Sequence, residues 1–356
     1  VRIVVASLPA YGHLYPMLPF AQACAAAGHE VTVATGTPFL DALPLPTTAG
    51  IPADVTLQDI EREALSGLTG DGPMDFVIRM FGTVTAGHVE PVLSRLLADT
   101  RPDLVIYEMT NVGAALAAER AGIRSIAFGL GLWNPVIPIW HSTAGADDTL
   151  PGGYLDPMPA SVQNPLPLPA RRIPIRTVAW APPLPLPAWF ASSVRPRVYV
   201  TLGTVSFGAV DVLRRAVLET AAHDVDVLVA VGPAGDPALL GEMPSNVHLE
   251  RFVSQAEVLR NVDAIVHHGG AGTMLGALAN GLPQLILPQG ADHPFNAAAI
   301  ERTGAGRAIA NEDQVPGAIE HAVGALLTEG RERLTAKRVA EEIAAMPSPK
   351  EVAAWL

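Results

Sequence analysis

Residues 264–298 constrain the fold more than any other stretch. They read Ala-Ile-Val-His-His-Gly-Gly-Ala-Gly-Thr-Met-Leu-Gly-Ala-Leu-Ala-Asn-Gly-Leu-Pro-Gln-Leu-Ile-Leu-Pro-Gln-Gly-Ala-Asp-His-Pro-Phe-Asn-Ala-Ala. The apolar run closing at 264–266 has the pattern of a parallel strand buried on both faces. Gly269, Gly270 and Gly272 then let the backbone turn and come close to a ligand. Residues 273–280 read as a helix that Gly281 stops. A glycine turn leading from a strand into a helix N-terminus is an anion site, because unpaired N–H groups and the helix dipole face it. His268 and Thr273 add side-chain donors, so a phosphate or diphosphate is the expected guest.

Spacing narrows the ligand. A P-loop ends in Gly-Lys-Ser/Thr, and this turn has no lysine. A dinucleotide fingerprint starting at Gly270 needs glycine at 275, where Leu275 stands. Residues 284–287 form a second buried strand, followed by Gln289, Asp292, His293 and Asn296 in a Pro/Gly loop. Two neighbouring strand ends thus offer a phosphate site beside a cluster of hydroxyl-binding groups, which suits a nucleotide sugar. The whole pattern is His-Gly-Gly-x-Gly-Thr, a helix, Gly-x-Pro, a strand, then Asp-His before Asn-Ala. It resembles the donor signature of inverting GT-B glycosyltransferases of the family 1 type, in particular the actinobacterial enzymes that glycosylate antibiotics and other natural products. The resemblance runs through nearly the whole chain. It implies an α/β fold of two doubly wound, Rossmann-like parallel-sheet domains facing each other across a cleft.

Length and composition agree with two domains. A chain of 356 residues, 49 % hydrophobic and 16 % charged, can bury two large cores. The divisions expected are an acceptor-binding domain over 1–181, a proline-rich linker over 182–196 and a nucleotide-sugar-binding domain over 197–346. The resemblance has a last helix, 347–356, crossing back onto the first domain. No apolar run reaches the ~18 residues of a membrane span, and the chain opens on a strand rather than a signal peptide; a cytoplasmic setting is expected. The single cysteine, Cys24, excludes an intrachain disulfide and a cysteine-based zinc site. A net charge of −12 argues against nucleic acid.

In the first half, 2–7 is an apolar strand and 16–27 a helix ended by Gly28. Between them stands His13, where α/β ligand sites form. Gly-His-x-x-Pro resembles the family's catalytic motif, which makes His13 the general base and puts Gly12 against the donor. Residues 104–107 form a strand that ends in Glu108, a carboxylate either for His13 or for capping the helix over 112–121. Residues 73–98 read as one long helix, with Met74, Phe76, Met80 and Phe81 near its start. These residues serve either as core or, by resemblance, as an acceptor pocket together with Met109 and Trp133. From 151 onward prolines recur with little periodicity, as in a linker.

In the second half, 198–202 is a strand whose Gly-Thr turn puts Thr204 at the donor phosphates in the resembled family. That family sets an aromatic, here Phe252, with Val253 and Gln255 against the base. Asp224-Val-Asp226 matches a metal motif on paper but precedes its strand, away from the ligand edge; no metal or other cofactor is expected.

Two residues depart from the resembled pattern. Glu108 stands where Asp is usual, and His293 stands where Gln is usual. A histidine makes fewer simultaneous hydrogen bonds than an amide, which suggests a deoxygenated or epimeric sugar. The function expected is inverting transfer of such a sugar from a dTDP- or UDP-sugar to a hydroxyl of an apolar aglycone. A nucleotide-sugar epimerase and a non-catalytic partner of another transferase are the alternatives, and a homodimer stays open. An NAD-dependent oxidoreductase is opposed by the failed fingerprint.

Overall fold

The computed structural model describes residues 1–68, 72–203, 210–232 and 235–356. They form two compact units. The first comprises 1–158, 164–176 and 347–356, and the second 159–163 and 177–346.

The first unit is built on seven parallel strands: β1 Arg2–Ala6, β2 Glu30–Thr35, β3 Thr47–Ala49, β4 Leu104–Glu108, β5 Ser125–Phe128, β6 Tyr154–Asp156 and β7 Arg172–Pro174. Their order in the sheet is β3-β2-β1-β4-β5-β6-β7. From β1 the chain winds outward one way through β2 and β3, then returns to lay β4 on the other side of β1. Ile3 pairs with Leu104 and Ala6 with Tyr107. The C-terminal ends of β1 and β4 therefore flank a topological switch point, where helices leave a crevice in open α/β sheets. The central strands read as continuous apolar runs because both faces are covered; Val4, Val105 and Ile106 are almost fully buried.

The second unit repeats the plan with β8 Arg197–Thr201, β9 Asp226–Ala230, β10 Val247–Glu250, β11 Ala264–His267, β12 Gln284–Ile286 and β13 Gly306–Ala308. All are parallel, in the order β10-β9-β8-β11-β12-β13. Its switch point lies between β8 and β11. Val200, Val227, Ile265 and Val266 are fully buried within it.

Three expectations need correction. The helix over 73–98 is three pieces: Pro73–Arg79, a π-helical segment Met80–Thr85, and Ala86–Thr100. The wider π turn resets which side chains face the core, and such turns concentrate at functional sites. Residues 151–176 are no linker, because β6 and β7 extend the first sheet there. Pro174 is tolerated because β7 is an edge strand, where a missing N–H costs no ladder bond. The units divide after Arg176, not near 181, and the expected linker packs onto the second unit. There Phe190 is buried with Tyr199 and Leu228, and Trp189 stacks on His248 with ring centroids 3.9 Å apart.

The terminal helix Pro349–Ala353 belongs to the first unit. Ser348 and Glu351 close it with a reciprocal capping box. It packs on the helix Leu18–Ala26, and the Arg176 N–H donates to the Pro347 carbonyl at 2.7 Å. Among the described residues, no helix is long and apolar enough to cross a membrane.

Candidate active site

His13 sits on the short helix Tyr11–Leu14, which begins five residues after the end of β1. Glu108 is the last residue of β4 and is fully buried. The strand register brings the two together although 95 positions separate them. His13 Nδ1–H donates to Glu108 Oε1 at 3.1 Å. A carboxylate can only accept, so in the neutral ring the proton resides on Nδ1 and the lone pair on Nε2.

Sequence reasoning missed a third member of this group, Thr110. Its backbone N–H donates to Glu108 Oε2 at 2.7 Å. Its hydroxyl lies 2.9 and 2.7 Å from the two carboxylate oxygens and 3.1 Å from His13 Nδ1. Burial pushes the Glu108 carboxyl upward, but the His13 interaction and the two Thr110 donors outweigh it, and it ends below its ordinary value. The alternative reading of Glu108 as a helix cap does not match this geometry. The helix Val112–Arg120 starts from Asn111 without a side-chain cap. The only trace of Thr110 in the sequence is its position two residues beyond the strand-end acid, where a hydroxyl can turn back on a carboxylate.

Around His13 the expected acceptor residues divide. Phe81, on the π segment, lies 6.4 Å from the His13 ring and 5.1 Å from Trp140. Met74 is exposed, whereas Phe76 and Met80 pack against Ile51, Ile60 and Val84. Met109 accepts a long contact from the Tyr154 hydroxyl at 4.0 Å. Trp133 is a core residue, 5 % exposed and edge-on to Tyr154. A Cβ at Gly12 would meet nothing within 4 Å among the described residues.

In the second unit, β11 ends at His267 and the helix Ala271–Ala279 begins four residues later. The three glycines of this turn serve different ends. Gly269 lies at φ +100°, and a Cβ there would come within 2.8 Å of Ile286. A Cβ on Gly270 would strike His268 Nε2 at 2.5 Å, and one on Gly203 would meet its Cε1 at 2.7 Å. The His268 ring therefore packs where both glycines lack a side chain, and edge-on to His293, ring centroids 4.7 Å apart. Gly272 differs: among the described residues, a Cβ there meets nothing within 4 Å.

Burial, together with the neighbouring His267 and His293, holds His268 well below the usual histidine range, against the Thr201 backbone. Its shielded Nδ1 has no hydrogen-bond partner among the described residues. It stands at the loop as a neutral ring. Thr273 Oγ1 lies 3.4 Å from the Gln255 side chain, which ties the loop to the segment carrying Phe252 and Val253. Asp292 is exposed and accepts from Asn296 at 2.7 Å. His293 is 5 % exposed, and its Nδ1 accepts the Gln289 N–H at 3.2 Å. The Gln289 side chain turns back to the Leu287 and Pro288 carbonyls at 3.0 Å. Thr204 lies outside the described residues. Asp224 pairs with Arg195 at 2.9 Å, and Asp226 opens β9 at the edge away from the loop.

His267, also missed, is fully buried. It accepts the Gly269 N–H on Nδ1 at 3.1 Å and donates Nε2–H to Gln284 at 2.8 Å. Burial first, with His293 adding to it, pushes it down to about 4 despite the Gln284 bond. A histidine kept neutral in the folded chain destabilises it on acidification. Between pH 6.5 and 4 the unfolded chain binds a proton that the folded chain refuses, a loss of about 3 kcal/mol by the lower end. His267→Asn keeps an acceptor for Gly269 without the titration. Denaturant unfolding at pH 7 and 4.5 is expected to show a shallower acid dependence in this variant; an equal dependence would mean that His267 is not held neutral.

Residues 215–356 match the family model described as erythromycin biosynthesis protein CIII-like, C-terminal domain. Over its full length the chain is similar to the L-demethylnoviosyl transferase of Streptomyces niveus. The two are 32 % identical over 374 residues, covering 100 % of this chain and 97 % of that protein. The crystal structure of the glycosyltransferase SnogD from Streptomyces nogalater matches with a TM-score of 0.85 at 29 % identity, covering 100 % of this chain and 98 % of that one. The glycosyltransferase VinC, solved in complex with dTDP, shares the fold with a TM-score of 0.79 at 24 % identity, covering 100 % and 98 %.

Proposed function

Because the chain belongs to the actinobacterial antibiotic glycosyltransferases of GT-B fold, we propose that it moves a sugar, with inversion, from a dTDP-sugar to a hydroxyl of an apolar aglycone. The observation that carries the catalytic part is the 3.1 Å contact from His13 Nδ1 to a buried, ionised Glu108, which leaves Nε2 available as a base. In this reading Nε2 takes the proton of the acceptor hydroxyl as its oxygen attacks the anomeric carbon. The bond from that carbon to the diphosphate breaks on the opposite face, and the nucleoside diphosphate leaves with the electron pair. Glu108 fixes the tautomer and stabilises the imidazolium as it forms. Thr110 holds the carboxylate in place, which lets the longer Glu fill a position where Asp is usual.

The leaving diphosphate is met by the N-terminus of Ala271–Ala279, the Thr273 hydroxyl and the His268 ring. Preorganised donors of this kind commonly contribute ~3–4 kcal/mol each at the transition state. Phe252, Val253 and Gln255 receive the base and Asp292 a sugar hydroxyl, with Phe81 beside the acceptor. Thymidine is favoured over uridine by analogy with VinC, and a deoxygenated sugar by the small polar set at 292–293.

The test is turnover with a panel of dTDP- and UDP-sugars against phenolic and polyol acceptors, following nucleoside diphosphate release. Release is expected with dTDP-sugars, only when acceptor is present, and equally with chelator. An isomerised donor without acceptor would establish the epimerase instead, and activity lost to chelator but restored by Mg²⁺ would refute the metal-free part.

A further inference from the structure

Asn296 lies outside the glycine-rich motif, one helical turn into His293–Thr303, and is 1 % exposed. Its Nδ2 donates to the Gly269 carbonyl at 2.8 Å and to Asp292 Oδ2 at 2.7 Å. Its Oδ1 is buried and has no hydrogen-bond partner among the described residues. The amide orientation is forced, because turning it over would set Oδ1 against two acceptors.

We propose that Asn296 is a positioning residue for the donor, which holds the phosphate loop and the sugar-facing carboxylate with one carboxamide. The inference rests on the donor reading above. Its physical basis is the planar peptide. The Gly269 carbonyl and the Gly270 N–H belong to one trans unit, so they point in opposite directions. Asn296 draws the carbonyl inward and thereby turns the Gly270 N–H outward, at the head of the helix Ala271–Ala279. On the other side of the Gly269 Cα, His267 accepts the Gly269 N–H at 3.1 Å. Glycine at φ +100° could otherwise let this peptide rotate at little cost. The loop's aim is thus set by two buried side chains, and neither needs to touch the ligand. The second Asn296 hydrogen bond orients Asp292, so the diphosphate and sugar sites are fixed to one another.

Asn296→Leu is close in volume and removes both bonds. Calorimetry with dTDP on the folded variant is expected to show roughly ten- to thirtyfold weaker binding, the scale of one lost hydrogen bond to an anion. Asp292→Ala is expected to leave dTDP affinity unchanged, since dTDP lacks the transferred sugar that Asp292 would contact. Asn296→Ala makes the same comparison if leucine is not accommodated. A residue that served only packing would lower the melting temperature and leave dTDP affinity intact, and that result overturns the proposal. An equal loss in Asp292→Ala also overturns it, because Asn296 would then act through the carboxylate alone. His268→Ala separates this failure from that of the donor reading: if its affinity for dTDP is also unchanged, the donor site itself is misplaced.

Discussion

Replacing His13 with alanine is expected to lower kcat by about 10²–10⁴, the usual cost of losing a positioned base, while affinity for dTDP stays unchanged. The two readouts separate because His13 belongs to the first unit and the phosphate loop to the second. Glu108→Gln keeps shape and part of the hydrogen bonding but loses the charge that stabilises the imidazolium, so its kcat should fall less. Thr110→Val removes one donor to the carboxylate at nearly constant volume and is expected to fall between Glu108→Gln and the unaltered protein; Thr110→Ser should restore the rate. An His13→Ala enzyme with normal kcat would mean that the acceptor hydroxyl loses its proton elsewhere. If Glu108→Gln instead matched His13→Ala, the carboxylate would be contributing more than orientation and charge stabilisation.

How much of this was legible in the sequence depends on the range of the interaction. The strands β1, β4, β8 and β11 could be read because each is an apolar run broken by a polar or glycine turn, a purely local signal. The placement of His13 near Glu108 could not be read locally. It depends on β4 returning beside β1, which alternating strand and helix permit but do not dictate; the family resemblance supplied it. The π turn at Met80–Thr85 was hidden because one extra residue hardly disturbs a 3.6-residue period over a single turn. β6 and β7 were hidden because each is only three residues long and stands in a proline-rich stretch that looks like linker. Trp133 shows the limit of residue type as a guide: a large aromatic close to a strand end can line a pocket or fill the core, and only its contact with Tyr154 decides. His267 and Asn296 were invisible as a pair, since their common partner is a backbone glycine rather than each other.

The glycines give the second large effect. Gly272→Val is expected to abolish measurable dTDP binding, with a loss of at least about a hundredfold, while the protein stays folded. The motif offers three glycines with no means of ranking them, and the structure does rank them. Gly269 needs its positive φ, and Gly270 needs its missing Cβ to seat His268; substituting either deforms the loop itself, so weaker binding there would be uninformative. Gly272 lies in the first turn of the helix Ala271–Ala279, and among the described residues nothing stands in its Cβ direction. Valine is no worse than glycine in a helix interior, so stability should hold within about 1 kcal/mol. Its two methyl groups would occupy the space before the helix N-terminus, where the free N–H groups must reach the diphosphate at about 2.9 Å. An anion kept an extra methyl's width away loses those hydrogen bonds and most of the benefit of the dipole, which falls off within the first turn. Thermal unfolding checks the fold and calorimetry with dTDP checks the site. Undiminished dTDP binding in a folded Gly272→Val protein would move the diphosphate away from this helix, and with it the roles given to Thr273 and His268.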